Sequence, residues 1–340
     1  MPTCWQGPRV GRSQLPAEPA SAFAPAAITN FFSVHYEPQA DGDLRKAGAT
    51  GGGYVLSKGV TTRARVVEAD GARPVEVIVD GDPKYRASTT RKALELMFGD
   101  QGRPKGRLVL EQTMDIPVGY GFGASAAAAI SAVYAAAAAM GLRLAKGKLA
   151  YYAHVADILE QTGLGTVSVT YDGTGAGAIT RAGAPGVSKF LNIEYPADTR
   201  IVTASLAPYR KSDAISRPGT VKRINHLGDR ALRSLEASQT LETLASEGER
   251  FSDRLGLMTP EVRDLAKLAK ASGAAFASQN MIGHAVHAIT TATKADAVAK
   301  ALRNSFPTPL VEVFEVGKQR ARVLKTGRPP FIRSASQPAI

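Results

Sequence analysis

The sequence predicts an α+β protein of 340 residues. Strand-like and helix-like stretches follow one another in irregular order, unlike the regular alternation of a doubly wound parallel sheet. A glycine-rich turn ending at Gly123 runs straight into a long alanine-rich helical stretch. From about residue 227 onward amphipathic helical patterns dominate, interrupted by short β-rich pieces. A composition that is 44% hydrophobic and 21% charged is that of a globular chain able to bury a sizeable core.

The elements read as follows. Residues 21–35 form an apolar strand with a break at Pro25. The run Gly48 to Gly53 reads as a loop. Strand patterns cover Thr61 to Glu68, Val75 to Val79 and Leu108 to Gln112, with a helix from about Ser88 to Phe98 between the last two. After the glycine turn come helices over 124–140 and from about Lys146 to Gln161. Val167 to Tyr171 is strand-like because it is rich in β-branched residues, and a glycine hairpin through Gly173, Gly175 and Gly177 follows. Val187 to Ile193 and Arg200 to Leu206 are further strand candidates. Helices are expected from Leu227 to Leu235, Leu241 to Leu255 and Pro260 to Ser272. Short strands over Ala274 to Ser278 and Ala285 to Thr291 flank Gly283. A helix from Ala295 to Asn304 and a strand from Val311 to Val316 close the pattern, and no repeat of solenoid length is present.

Several function classes lose support from composition. The single cysteine, Cys4, cannot form an internal disulfide. No secretory signal pattern is present. Residues 124–142 are nearly free of charge, but alanine gains little by transfer to lipid and is the best helix former, so a buried soluble helix is expected rather than a membrane span. The net charge is +12, and half of it comes from Lys318, Arg320, Arg322, Lys325, Arg328 and Arg333, in a stretch without acids. Such a tail is ordinarily solvated. The remaining charge suits a binder of small anions, so neither a nucleic-acid nor a membrane partner is expected.

The stretch Pro117-Val-Gly-Tyr-Gly-Phe-Gly-Ala-Ser-Ala126 carries the functional signal. Gly119, Gly121 and Gly123 permit positive φ and close backbone approach. The helix behind them offers unpaired N–H groups and the positive end of its dipole, which together form an anion site of phosphate size. Ser125 can donate to a phosphate oxygen or ligate Mg²⁺, or simply occupy the first helical turn. The loop lacks the Gly-Lys-Ser/Thr ending of a P-loop, and a tight turn before a helix is the alternative reading.

At this loop the chain resembles the GHMP kinases, whose phosphate loop reads Pro-x-Gly-x-Gly-Leu-Gly-Ser-Ser-Ala; Phe122 stands for the Leu and Ala124 for the first Ser. Other segments resemble one branch of that family, the archaeal pantoate kinases. They are Ala22-Phe-Ala-Pro-Ala-Ala-Ile-Thr-Asn-Phe-Phe-Ser33, Gly52-Gly-Tyr-Val-Leu-Ser-Lys-Gly-Val-Thr-Thr62, Ala153-His-Val-Ala-Asp157 with Thr162-Gly-Leu-Gly165, Gly183-Ala-Pro-Gly186 and Ala277-Ser-Gln-Asn-Met-Ile-Gly283. The resemblance covers about residues 21 to 325. It implies a GHMP kinase fold: an N-terminal α+β domain with a left-handed β-α-β unit over 21–195, and a ferredoxin-like C-terminal domain over 196–325. A disordered segment over 1–20 and a basic tail over 326–340 flank them.

The resemblance also implies function. ATP, with Mg²⁺, would phosphorylate the 4-hydroxyl of pantoate to give 4-phosphopantoate for coenzyme A synthesis, in a cytoplasmic enzyme, with a homodimer as a family-level expectation. ATP would lie on Pro117, Gly119, Gly121, Phe122, Gly123, Ala124, Ser125 and Ala126. Ser125 and Asp157 would hold Mg²⁺, with Glu160, one helical turn on, as a substitute for Asp157. The branch has Gly-Asp-Val where this chain has Gly165-Thr166-Val167, so the position of the proposed catalytic base is filled by Thr166, which has no useful basicity near neutral pH. The branch's Gly-His pair is Ala26-Ala27 here, and a later Gly is Asn30. These departures leave open a kinase of another small alcohol, such as homoserine, mevalonate or shikimate, or a catalytically impaired relative that binds nucleotide or metabolite.

Thr29, Asn30, Ser278 and Gly283 are the candidate substrate-site residues. Arg63 and Arg65, on one face of a strand, and Arg181 are candidate partners for a substrate carboxylate. Lys58 is a weaker candidate for nucleotide phosphates. Asp172 either approaches the site or initiates the turn at Gly173. His154 reads as a packed histidine, and the i, i+3 pair His284 and His287 as a poor metal site.

Overall fold

The computed structural model describes residues 18–36, 43–68, 74–208 and 219–324. Residues 1–17 of the N-terminal segment and the whole tail over 326–340 lie outside the described residues. Two sheets organise the rest. The first contains β1 (Ala20–His35), β2 (Gly48–Val67), β3 (Val75–Val79), β4 (Arg107–Met114), β5 (Ala176–Arg181), β6 (Lys189–Ile193) and β11 (Arg322–Leu324). Its main path is β11-β1-β2-β4-β3, and β5 pairs with the N-terminal part of β2 and with β6. β3 and β4 run parallel, joined through α1 (Ser88–Gln101), while the other pairings are antiparallel.

The second sheet has the order β10-β7-β9-β8, built from β7 (Thr199–Ala207), β8 (Phe276–Gln279), β9 (His284–Thr291) and β10 (Leu310–Glu315). Helices α5 (Thr220–Ala237), α6 (Leu241–Leu255) and α7 (Pro260–Ala271) lie between β7 and β8, and α8 (Ala292–Arg303) lies between β9 and β10. This strand order and the β-α-β-β-α-β succession are ferredoxin-like. The unit expected over 196–325 nevertheless sends its last strand, β11, back to β1 of the first sheet.

Helix α2 (Ala124–Ala139) is the centre of the first half. Nearly all of it is buried, against β1, β2, α1 and α3 (Lys146–Leu159). Its alanines lose no side-chain entropy on burial and let neighbours approach closely. One buried polar cluster ties it to the sheet. Gln112 donates to Thr62 Oγ1 and to the carbonyl of Ala128, both at 3.0 Å, and Ser131 and Thr62 share a hydroxyl bond of 2.7 Å. Among the described residues no helix is long and apolar enough to cross a membrane.

Three segments differ from what the sequence pattern predicts. Gly48 to Gly53 is strand, not loop, and β1 passes Pro25 without a break. The β1–β2 pairing carries irregularities between Pro25 and Ala27 and between Thr29 and Phe31. These push the β1 backbone against β2, so that a Cβ on Gly53 would stand 2.0 Å from the Ile28 carbonyl oxygen. Glycine in a strand marks such close approach rather than a loop. Val167 to Tyr171 is helical, within α4 (Thr166–Asp172). Its β-branched residues favour strand locally, but Ser168 and Thr170 satisfy their hydroxyls on carbonyls of Gly183, Thr166 and Val167. Tertiary burial of Val167, Ser168 and Thr170 overrides the propensity.

Helices α5 and α6 cross the opposite face of β1 and meet it through glycines. A Cβ on Gly228 of α5 would lie 2.0 Å from the Phe32 carbonyl oxygen. Replacing Gly228 with Ala should therefore destabilise the protein by about 1–3 kcal/mol, because the helix must shift off the sheet. Chemical denaturation of Gly228→Ala measures this, and an unchanged midpoint would show that α5 is not seated as described.

Candidate functional site

The loop between β4 and α2 is held open by three glycines in the left-handed region. Gly119 has φ 92°, Gly121 85° and Gly123 66°. Gly123 is the residue before α2 and carries no side-chain oxygen, so the first turn of α2 has no side-chain cap. Backbone and side-chain contacts fix the loop from two sides. Ala27 N–H of β1 donates to the carbonyl of Phe122 at 3.1 Å, and Asn280 Nδ2 donates to the carbonyl of Tyr120 at 3.2 Å. The Phe122 ring is buried and packs on Phe314 of β10. A Cβ on Gly283 would lie 2.5 Å from the Tyr120 oxygen, so only glycine lets this turn seat against the loop.

Ser125 and Asp157 come together at the start of α2. Asp157, in α3, is buried; its Oδ1 accepts from Thr162 Oγ1 at 2.7 Å and from Ser125 Oγ at 3.4 Å. The turn after α3 shapes this pair. Gln161 takes a left-handed φ of 56°, and a Cβ on Gly163 would fall 2.3 Å from Asp157 Oδ2. One carboxylate and one hydroxyl at a phosphate-sized anion site fit Mg²⁺, which takes few protein ligands and completes its shell with phosphate oxygens and water. Among the described residues no cluster of three or more His, Cys, Asp or Glu suggests a self-contained metal cage. Glu160 is the residue at the end of α3, near enough to Lys92 to interact with its charge, and no bond joins it to Ser125 or Asp157 among the hydrogen bonds described.

A cavity of about 460 Å³ opens beside this loop. Its walls include Thr29 of β1, the glycine segment of β2, Gly163 to Thr166, Thr174 and the Met281–Ile282 turn. None of its lining residues among those described is charged. Thr166 stands at the junction of cavity and loop: a Cβ on Gly123 would touch its methyl group at 2.4 Å.

Other expected site residues lie elsewhere. Arg63 and Arg65 sit ten or more residues along β2 from Gly53, on the order of 30 Å at strand rise. Arg65 pairs there with Glu111 at 3.4 Å. Arg181 is exposed and donates to the carbonyl of Val187. Lys58 pairs with Glu312 and lies over Phe314. Asn30 is fully buried and does not line the cavity; its amide donates to Tyr54 Oη and to the carbonyl of Leu244, both at 3.1 Å. Asp172 does not line the cavity either: it faces Gly186 and Arg320, and burial raises its pKa. His154 is a packed histidine bonded to the Leu44 carbonyl, its pKa lowered by burial. His284 and His287 lie on a strand, where i, i+3 side chains point to opposite faces. His284 bonds Thr259, and His287 lies inside, bonded to Ser278 and Asn280. Ser278 is thus buried behind the cavity rather than in it. Asn280 lies inside the resembling segment Ala277 to Gly283, but nothing in the sequence assigned it a role there.

The family described as GHMP kinases N terminal domain matches residues 88–173, and GHMP kinases C terminal matches residues 231–308. The chain belongs to the GHMP kinases. This GHMP kinase is 28% identical over 304 residues to the pantoate kinase of Thermococcus kodakarensis, covering 86% of this chain and 95% of that protein. It is 25% identical over 272 residues to the pantoate kinase of Methanospirillum hungatei, covering 79% of this chain and 86% of that protein. A solved phosphotransferase related to the CoA biosynthesis pathway superposes with a TM-score of 0.78 at 26% identity, over 90% of this chain and 98% of that one. Homoserine kinase from Cytophaga hutchinsonii shares the fold, with a TM-score of 0.64 at 17% identity over 93% of this chain and all of that one.

Two substitutions test the geometry of this GHMP kinase. Gly121→Val places a β-branched side chain at positive φ, where a Cβ already meets Asn280 Cβ at 2.9 Å. It should raise the KM for ATP at least about 10-fold, since strain at such a position costs about 1–3 kcal/mol. An unchanged KM would remove the loop from the nucleotide site. Asp157→Asn removes the only carboxylate described next to Ser125 and should lower kcat on the order of 10²-fold. Steady-state kinetics across a Mg²⁺ titration measure it, and wild-type kcat would exclude Asp157 from cation binding.

Proposed function

We propose that this chain is an ATP- and Mg²⁺-dependent pantoate kinase that converts pantoate to 4-phosphopantoate. The observation that carries the reading is the apposition of three parts: the glycine loop at the start of α2, the Ser125–Asp157 pair, and an uncharged cavity reached past Thr166. The similarity to two pantoate kinases over most of the chain supports the choice of substrate. Pantoate is a small hydroxy acid with two geminal methyl groups. The apolar walls from Ile28, Val169, Ile179 and Ile282 suit those methyls, and Thr29, Thr174 and Asn192 offer polar groups to its oxygens. These three take the place of Arg63 and Arg65 in the substrate assignment.

In this reading the glycine loop orients the ATP phosphates by backbone N–H groups. Ser125 and Asp157 would hold Mg²⁺, which would neutralise charge on the phosphates. The 4-hydroxyl oxygen forms the new bond to the γ-phosphorus, the bond from that phosphorus to the β,γ-bridging oxygen breaks, and ADP departs. The hydroxyl proton passes to an oxygen of the transferred phosphoryl group, and from there to solvent, rather than to a side-chain base: no Asp, Glu or His lines the cavity among the described residues, and Thr166 has no basicity to offer. Transfer through a loose transition state depends chiefly on position and charge, so such a site still works. It forgoes the contribution of a general base, about 10²–10⁴-fold.

An ADP-release assay with pantoate, homoserine, mevalonate and shikimate tests the substrate. Turnover with pantoate is expected. Turnover only with another alcohol would overturn the substrate and keep the kinase. Thr166→Asp restores a carboxylate at the junction of loop and cavity, and kcat should rise about 10-fold or more. A flat response would contradict the idea that the missing carboxylate limits the rate.

A further inference from the structure

We infer that His287 is a positioning residue for the phosphate loop, acting as a neutral relay through Asn280 onto the carbonyl of Tyr120. The inference rests on the proposal that this loop binds ATP. Ser278 and His287 are cross-strand partners in β8 and β9. Ser278 Oγ lies 3.1 Å from His287 Nε2, His287 Nδ1 lies 2.9 Å from Asn280 Oδ1, and Asn280 Nδ2 lies 3.2 Å from the Tyr120 oxygen. The three side chains are almost completely buried.

Chemistry sets the direction of this chain. The Tyr120 carbonyl can only accept, so Asn280 must turn its NH₂ toward it and its oxygen toward His287. His287 must then donate from Nδ1, which leaves Nε2 to accept the Ser278 hydroxyl proton. A neutral ring in this position carries its one proton on Nδ1. Its surroundings agree: burial pushes the His287 pKa down to about 3, and Tyr54 meets the ring edge-on at 5.7 Å.

The relay reaches the ligand through a single peptide plane. In a trans peptide the C=O and the following N–H point in opposite directions. Fixing the Tyr120 oxygen on Asn280 therefore aims the Gly121 N–H away from Asn280. Gly283 seats on the same peptide, so the second sheet sets the orientation of one loop donor without touching nucleotide. Two elements distant in sequence, 117–123 and 278–287, thereby act as one unit.

Calorimetric titration of the full chain with MgATP tests this. The wild type should bind, while Asn280→Asp, which presents only acceptors to Tyr120, and His287→Leu should each weaken binding about 10-fold, the scale of one buried hydrogen bond lost with its partner left unpaired. His287→Asn keeps an N–H where Nδ1 stands and should stay within about threefold of wild type. The KM for the alcohol should hold in all three variants. Wild-type affinity in folded Asn280→Asp and His287→Leu would overturn the relay, as would equal losses in His287→Asn and His287→Leu, which would mean packing alone. A wild type that fails to bind MgATP would instead overturn the nucleotide reading of the loop. If His287→Leu does not fold, nitrogen NMR of the wild-type ring decides: a neutral Nδ1–H ring between about pH 5.5 and 8 is expected, and a cationic or Nε2–H ring would overturn the relay.

Discussion

The structure depends on the seating of one peptide, Tyr120–Gly121, between two sheets. On one side the loop is pinned to β1 by Ala27 N–H on the Phe122 carbonyl. On the other, Asn280 and Gly283 close on the Tyr120 carbonyl at distances that admit no side chain at Gly283. A third bond, from Met281 N–H to the Thr29 carbonyl, ties the same turn to β1 at the cavity wall. The glycine loop, the cavity and the junction between the two halves of the chain are thus one construction. Three glycines take the positive φ that this open loop needs without steric cost, and packing on both sides holds it in place.

Small residues make that construction geometrically feasible. The alanines of α2 let a long helix run through the middle of the first half while its first turn stays at the loop. Glycines in β2 and α5 let backbones meet at β1 where a methyl group would collide, and Gly248 in α6 leaves room for the Asn30 side chain. Close packing of this kind transmits position well, because tightly packed interiors respond as a whole to small displacements. The site therefore has few charges of its own, and its chemistry relies on where groups are held. In the proposed reaction the lack of a base at Thr166 fits such a site, since positioning and the cation would account for most of phosphoryl transfer.

Much of this was legible in the sequence. The helical period after Gly123, the alternate glycines before it and the order of the resembling segments locate the loop, and the turn Thr162-Gly163 after Asp157 locates the carboxylate that meets Ser125. What stayed hidden depends on register and tertiary contact. Gly48 to Gly53 looks like a loop because glycine is a local turn signal, whereas here it answers the bulged β1 backbone. The segment after Gly165 looks like a strand because its hydroxyl and β-branched residues find their partners only in the folded chain. Asn30 sits in the right motif, but its amide is buried on Tyr54 and the Leu244 carbonyl and does not line the cavity. Arg63 and Arg65 carry the right charge for a carboxylate at the wrong end of a long strand. The Ser278–His287 pairing is set by a hairpin register that no spacing rule reveals.

The most direct test of the central claim is a crystal structure with a non-hydrolysable ATP analogue, Mg²⁺ and pantoate bound together. The terminal phosphates are expected on the backbone of Gly119 to Ser125, the cation on Ser125 and Asp157, and pantoate in the cavity with its 4-hydroxyl facing the γ-phosphate past Thr166. Nucleotide bound away from the glycine loop, or pantoate bound outside the cavity, would contradict it.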